Sequence, residues 1–146
     1  MEQNEIDIAG HVVAIWCRDP EVREQIEAAL APLGLRLVAA DTVADIVAAA
    51  PACAVFHLPL RKNEDPAFVD AWEQARAQSH ILSIRTRVKP AGEPRLGSIN
   101  RYSWLFDDAV NLPLDADVLE ELAMRVRRNI QREIFKGRLP DLSVGS

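Results

Sequence analysis

The chain has 146 residues, 49% of them apolar and 27% charged, which suits one ordinary domain with its own hydrophobic core and excludes disordered, collagenous and disulfide-scaffold classes. A net charge of -5 argues against general affinity for nucleic acid, and two cysteines, Cys17 and Cys53, are too few for a disulfide framework or an unaided four-ligand zinc site. No apolar run is long enough to span a bilayer and the stretch Met1 to Asp7 is acidic, so the expectation is a cytoplasmic protein with reduced thiols and no membrane partner.

In chain order, residues 1–10 read as an N-terminal extension, 11–136 as the domain, and 137–146 as a frayed C-terminal tail or linker. His11 to Cys17 is rich in β-branched and aromatic residues and reads as a buried strand. Asp19-Pro20 then offers an N-cap followed by proline in the first turn, and Val22, Ile26, Leu30 and Leu33 make the stripe of a helix over 20–33 that ends at Gly34. Leu35 to Ala39 is the second strand. Asp41 is the expected cap of a helix over 42–50 that turns Val43, Ile46 and Val47 to the core and stops at Pro51. Ala52 to Leu58, almost unbroken in apolar character, is a strand covered on both faces.

Asp65-Pro66 repeats the cap-and-proline device and opens a helix over 66–77 with Phe68, Trp72 and Ala75 on one face. His80 to Arg85 is the fourth strand. The stretch from Thr86 to Tyr102 carries Pro90, Gly92, Pro94 and Gly97, so the fourth helix is expected to be short or absent. The later half of Ser103 to Val110 is the fifth strand, and Asp115 caps an extended last helix over 116–136. Strands alternating with helices of this length predict an α/β domain, a doubly wound, five-stranded parallel sheet of flavodoxin-like architecture. Its functional site belongs at the carboxyl ends of the strands, at residues 16–19, 57–61, 85–87 and 111–113.

In this element order, and in the phrases DPEVREQIEAALAPLG and DDAVNLPLDADVLEELAMRVRR, the sequence resembles a response-regulator receiver domain, the CheY-like phosphoacceptor module of bacterial two-component systems, over residues 11 to about 132. The resemblance implies an acidic pair after the first strand for magnesium, an aspartate ending the third for phosphate, a hydroxyl residue ending the fourth and a lysine before the proline after the fifth. In that family's chemistry magnesium takes carboxylate oxygens, a carboxylate is the nucleophile for the phosphoryl group, and the lysine and hydroxyl bind the phosphoryl oxygens. Carried onto this chain, the acidic pair falls at Cys17 and Arg18, with Asp19 the one acid left. The acceptor position falls at His57, the hydroxyl position at Arg85 or, one residue on, Thr86, and the lysine position at Leu112, with Pro113 retained. A fixed cation at Arg18 opposes a divalent ion, so the pattern is that of a degenerate pseudo-receiver: no metal, no cofactor, no catalysis and no aspartyl phosphorylation.

The expected role is signal transduction by contact with another signalling protein. The alternative is a sensor whose vacated pocket takes an anion or nucleotide through Arg18, His57 and Arg85. His57 as a phosphate acceptor, or as a metal ligand with Cys17 and Asp19, stays open beside the plain reading of a structural histidine. Tyr102, Trp104 and Phe106 alternate as in a strand. The stripe Leu119, Leu122, Val126, Ile130 and Ile134 carries a basic flank of Arg125, Arg127, Arg128, Arg132 and Lys136. From these the sequence suggests an interaction surface at Trp104, Phe106, Leu122, Val126, Ile130 and Ile134, through which two copies would pair as a homodimer along the last helix.

Overall fold

The computed structural model describes residues 7–57, 66–78, 81–87 and 106–142. Five parallel strands, β1 (Val12–Trp16), β2 (Arg36–Ala40), β3 (Cys53–Phe56), β4 (Leu82–Arg87) and β5 (Asp108–Asn111), form one sheet in the order β2-β1-β3-β4-β5. The helices are α1 (Pro20–Leu30), continued by a 3-10 turn over Ala31–Leu33, α2 (Val43–Ala49), α3 (Pro66–Gln78) and α4 (Ala116–Phe135), the longest. This is the doubly wound architecture the alternation of elements predicts. The glycine- and proline-rich stretch is described only through Arg87 and again from Phe106, so the expectation of a short or absent helix there lies outside the described residues, as does Trp104.

Local chemistry places most of the boundaries. Asp19 Oδ1 accepts from the Glu21 and Val22 amides at 3.0 and 3.4 Å and starts α1, while Asp115 Oδ1 accepts from Val118 N at 2.9 Å and starts α4. Gly34 ends the first helical segment with φ 76, the left-handed conformation that favours glycine, and its carbonyl accepts from Gly10 N at 2.9 Å. Two expectations need correction. The cap of α2 is Thr42 and not Asp41: Thr42 Oγ1 accepts from Asp45 N, and Asp45 Oδ2 accepts from both the Asp41 and Thr42 amides, each at 3.1 Å. A capping box satisfies several orphan amides together, which a lone aspartate one residue earlier cannot do. Val47, expected in the core, is exposed, because α2 packs on the edge strand β2 and its neighbour β1, and beyond β2 the described chain supplies no further strand.

The sheet divides the core in two. On one face Val13, Ile15, Cys53, Val55, Ile84 and Val110 pack against Ile26 and Leu30 of α1 and Leu122, Val126, Ile130 and Ile134 of α4. On the other face Ala14, Trp16, Ala54 and Phe56 meet Ile46 of α2 and Phe68 and Trp72 of α3. The rings there form a contiguous group: Trp16 stacks on Phe68 at 4.7 Å, and Phe56 lies 4.8 Å from Trp72 and 5.2 Å from Phe106.

This packing puts the described residues of the interaction surface read from the sequence against the domain's own core. Leu122, Val126 and Ile130 are fully buried and Ile134 nearly so, while Phe106 is half-buried against Phe56. After α4 the chain turns at Gly137 and closes the far end of this core. Arg138 N and Leu139 N donate to the Glu133 carbonyl at 2.8 and 3.2 Å, and Leu139 packs on the same core. A homodimer built on that stripe would have to expose residues of the domain's own core. What α4 does expose includes Met124, Phe135 and the basic residues Arg128 and Arg132, with Lys136 exposed at its C-cap.

Candidate functional site

Parallel strands bring all their carboxyl ends to one edge of the sheet, so Cys17 to Asp19, His57, Thr86 and Leu112-Pro113 stand at the same end of the domain. The register pairs Trp16 with Phe56 and Phe56 with Arg85, which makes Cys17, His57 and Thr86 the next row. Thr86 Oγ1 and His57 Nδ1 are hydrogen-bonded at 3.0 Å, and His57 N donates to the Trp16 carbonyl at 2.9 Å. Of the two residues read at the hydroxyl position, Thr86 is the one that stands beside His57. Arg85 turns to the opposite face. Its Nε donates to the Thr86 carbonyl at 3.0 Å and its guanidinium lies over the Phe106 ring at 5.5 Å. The shift arises because β4 runs Leu82–Arg87, two residues later than the sequence pattern placed it.

Each remaining position is engaged in local structure. Cys17 is buried, and its thiol donates to the Asp19 carbonyl at 3.2 Å; burial raises its pKa above the ordinary thiol value. Asp19, the acid left over from the expected magnesium pair, commits one carboxylate oxygen to the amides that open α1. Arg18 is exposed, with its guanidinium over the Trp16 ring at 4.9 Å. Arg23, which the sequence reading did not include, reaches back from the first turn of α1 to the Cys17 carbonyl at 3.5 Å. Its signal is positional: a long cation in the turn after the cap faces the strand end that precedes it. Leu112 and Pro113 follow β5 and are joined by a cis peptide bond, and Leu112 is half-buried.

Half-buried His57 is held below the usual imidazole pKa by desolvation, which the charge of Asp19 opposes. The neutral ring is thus favoured near pH 7. Among the described residues no three of His, Cys, Asp or Glu are arranged to hold a metal, and the Cys17, His57 and Asp19 grouping does not assemble, since the thiol turns to a backbone carbonyl. The trio of Arg18, His57 and Arg85 is likewise divided: His57 bonds Thr86, while each guanidinium lies on an aromatic ring. Asp108, a conceivable partner for those arginines, is bound instead by Arg125, which also bridges to Glu121 at 2.7 Å; these bonds hold the Arg125 pKa above its ordinary value. Among the described residues no helix is long and apolar enough to cross a membrane.

No protein-family model matches the sequence, and no curated protein matches it either. Solved structures do. The BeF3-activated receiver domain of DrrB is 19% identical, with 84% of this chain and 99% of that one covered at a TM-score of 0.60. HP1043, an orphan response regulator of H. pylori, is 13% identical over 82% of this chain and 96% of its own, at 0.58. A response regulator from Chloroflexus aurantiacus is 15% identical over 83% and 98%, at 0.61. The order β2-β1-β3-β4-β5, the two-faced core and these likenesses together give one conclusion: the chain has the CheY-like fold of response-regulator receiver domains.

Proposed function

We propose that this chain is a pseudo-receiver, a non-catalytic signalling module that acts through contacts with another protein, independently of aspartyl phosphorylation. The observation that carries the reading is the bond between His57 and Thr86 at the sheet's carboxyl edge. Where the receiver pattern has an aspartate, an imidazole stands, and it is held by the hydroxyl that the pattern assigns to the phosphoryl group. The surroundings agree. Asp19 is drawn into capping α1, Arg18 adds a permanent positive charge where a divalent cation would bind, and Leu112 offers no cation to a phosphoryl oxygen. A neutral histidine cannot replace an aspartate as a magnesium-assisted phosphoryl acceptor, because it contributes no anionic oxygen to the metal.

The test is incubation with a small acyl-phosphate donor and magnesium, followed by intact mass measurement. The expected result is an unchanged mass and, by titration calorimetry, no saturable magnesium binding. Stoichiometric phosphate incorporation at any residue would overturn the proposal.

A further inference from the structure

We infer that the cleft at the amino edge of the sheet, beside the end of α4, binds a free α-amino acid with an apolar side chain. The inference is independent of what the carboxyl-edge site does, since the cleft lies at the other end of the strands. Pro51 and Ala52 lead into β3, Leu82 begins β4, and Glu133, Arg138 and Leu139 come from the end of α4 and the turn after it. Together they line a cavity of about 410 Å³. Small-molecule sites have volumes of this order, with mostly apolar walls and a few placed polar groups. Four of the six lining residues here are apolar, and the other two carry opposite charges.

The turn that builds the cleft makes those charges unusual. Gly137, at φ 80, follows the helix cap Lys136; its amide donates to the Ile134 carbonyl at 3.0 Å, and Arg138 N donates to the Glu133 carbonyl at 2.8 Å. A helix closed by this pair of bonds brings together the third residue from its end and the second after its cap, commonly in an apolar contact. In this chain those two positions hold Glu133 and Arg138. An apolar pair would close the helix without taking a carboxylate out of water, so the fold alone does not call for the charges.

The geometry of the pair selects the ligand. One Arg138 nitrogen, Nη1, reaches both Glu133 carboxylate oxygens, at 3.3 and 3.4 Å, in place of the shorter two-nitrogen fork that guanidinium and carboxylate form when they fit best. The Glu133 side chain is 7% exposed and that of Arg138 55%, so the carboxylate belongs to the cleft and the guanidinium to its rim. The guanidinium can swing outward while the turn's backbone bonds hold. Glu133 then needs another cation, because a buried carboxylate stripped of its partner is strongly destabilising. An α-ammonium supplies that charge, the α-carboxylate on the same carbon meets Arg138 at the rim, and an apolar side chain lies against Pro51, Ala52, Leu82 and Leu139. A simple amine or a simple carboxylic acid satisfies only one of the two charges.

Titration calorimetry of the full chain with L-leucine, L-valine, L-isoleucine and L-methionine tests this. At least one should bind saturably with a dissociation constant of about 1 mM or tighter, the range open to a ligand of so few atoms. Glycine, 4-methylpentanoate and 3-methylbutylamine lack in turn the side chain, the amine and the carboxylate, and each should bind at least about tenfold more weakly than the tightest of the four. Arg138→Ala, at an exposed side chain, should weaken amino-acid binding by about the same factor and abolish the preference over 3-methylbutylamine, with an unchanged circular dichroism spectrum. Glu133→Gln should abolish binding, and the arginine variant decides the matter if the glutamine variant fails to fold. No saturable binding of any of the four amino acids, equally tight binding of 4-methylpentanoate or 3-methylbutylamine to the wild type, or unchanged binding in Arg138→Ala would overturn the inference.

Discussion

Replacing Ile130 by alanine separates a core role for the last helix from an interface role. Ile130 is fully buried between α4 and the sheet, in the cluster that holds Leu122, Val126, Val55 and Ile84. Truncation removes three carbons from a site with β-strands on one side and helix backbone on the other, which leaves little freedom to collapse. Ile→Ala changes of this kind cost about 2–5 kcal/mol, and a value near 3 kcal/mol lowers the melting temperature of a domain this size by about 10 °C. Phe135, five residues on, is 82% exposed, and Phe135→Ala should change stability by no more than about 0.5 kcal/mol. Thermal unfolding followed by circular dichroism, at one protein concentration for all three chains, reads both numbers. Equal effects of the two substitutions, or an Ile130→Ala protein with an unshifted melting temperature, would refute the assignment of this stripe to the core.

Other outcomes follow from the site and the caps. Because the folded state holds His57 below its unfolded value of 6.5, it binds fewer protons than the unfolded chain just below that pH. The contribution is complete above 6.5 and is lost as pH falls toward the folded value, and urea titrations of His57→Gln should lack that loss. Burial raises both thiols, Cys53 the more strongly, so the native protein should resist a thiol reagent at pH 8, with Cys17 the first to react and both labelled in denaturant. Thr42→Ala opens the capping box of α2 and should cost about 1 kcal/mol, read as a shift in the urea midpoint with unchanged slope.

The receiver likeness was legible because its signals are local. Asp19-Pro20 and Asp115 mark helix starts whatever surrounds them, Gly34 marks a helix end, and apolar runs between helical stripes imply crossovers that must be right-handed and hence a parallel sheet. That the positions which the receiver resemblance assigns to an aspartate and a lysine hold His57 and Leu112 was equally plain in the sequence.

Burial and register were decided elsewhere. The stripe from Leu122 to Ile134 has one period whether it packs on a sheet or on a second helix. Its packing on the sheet and α1, closed at the far end by Leu139, made it core. Val47 lost its expected burial for the converse reason, because among the described residues β2 is the edge of the sheet and a helix at an edge has one side without cover. A slip of one residue in a strand exchanges its two faces, so no pattern in the fourth strand could choose between Arg85 and Thr86 as the neighbour of His57. The ladder between β3 and β4 chose Thr86 by setting Phe56 against Arg85. Sequence determines which groups reach the edge of this sheet, whereas the hydrogen-bonded register determines which of them face one another.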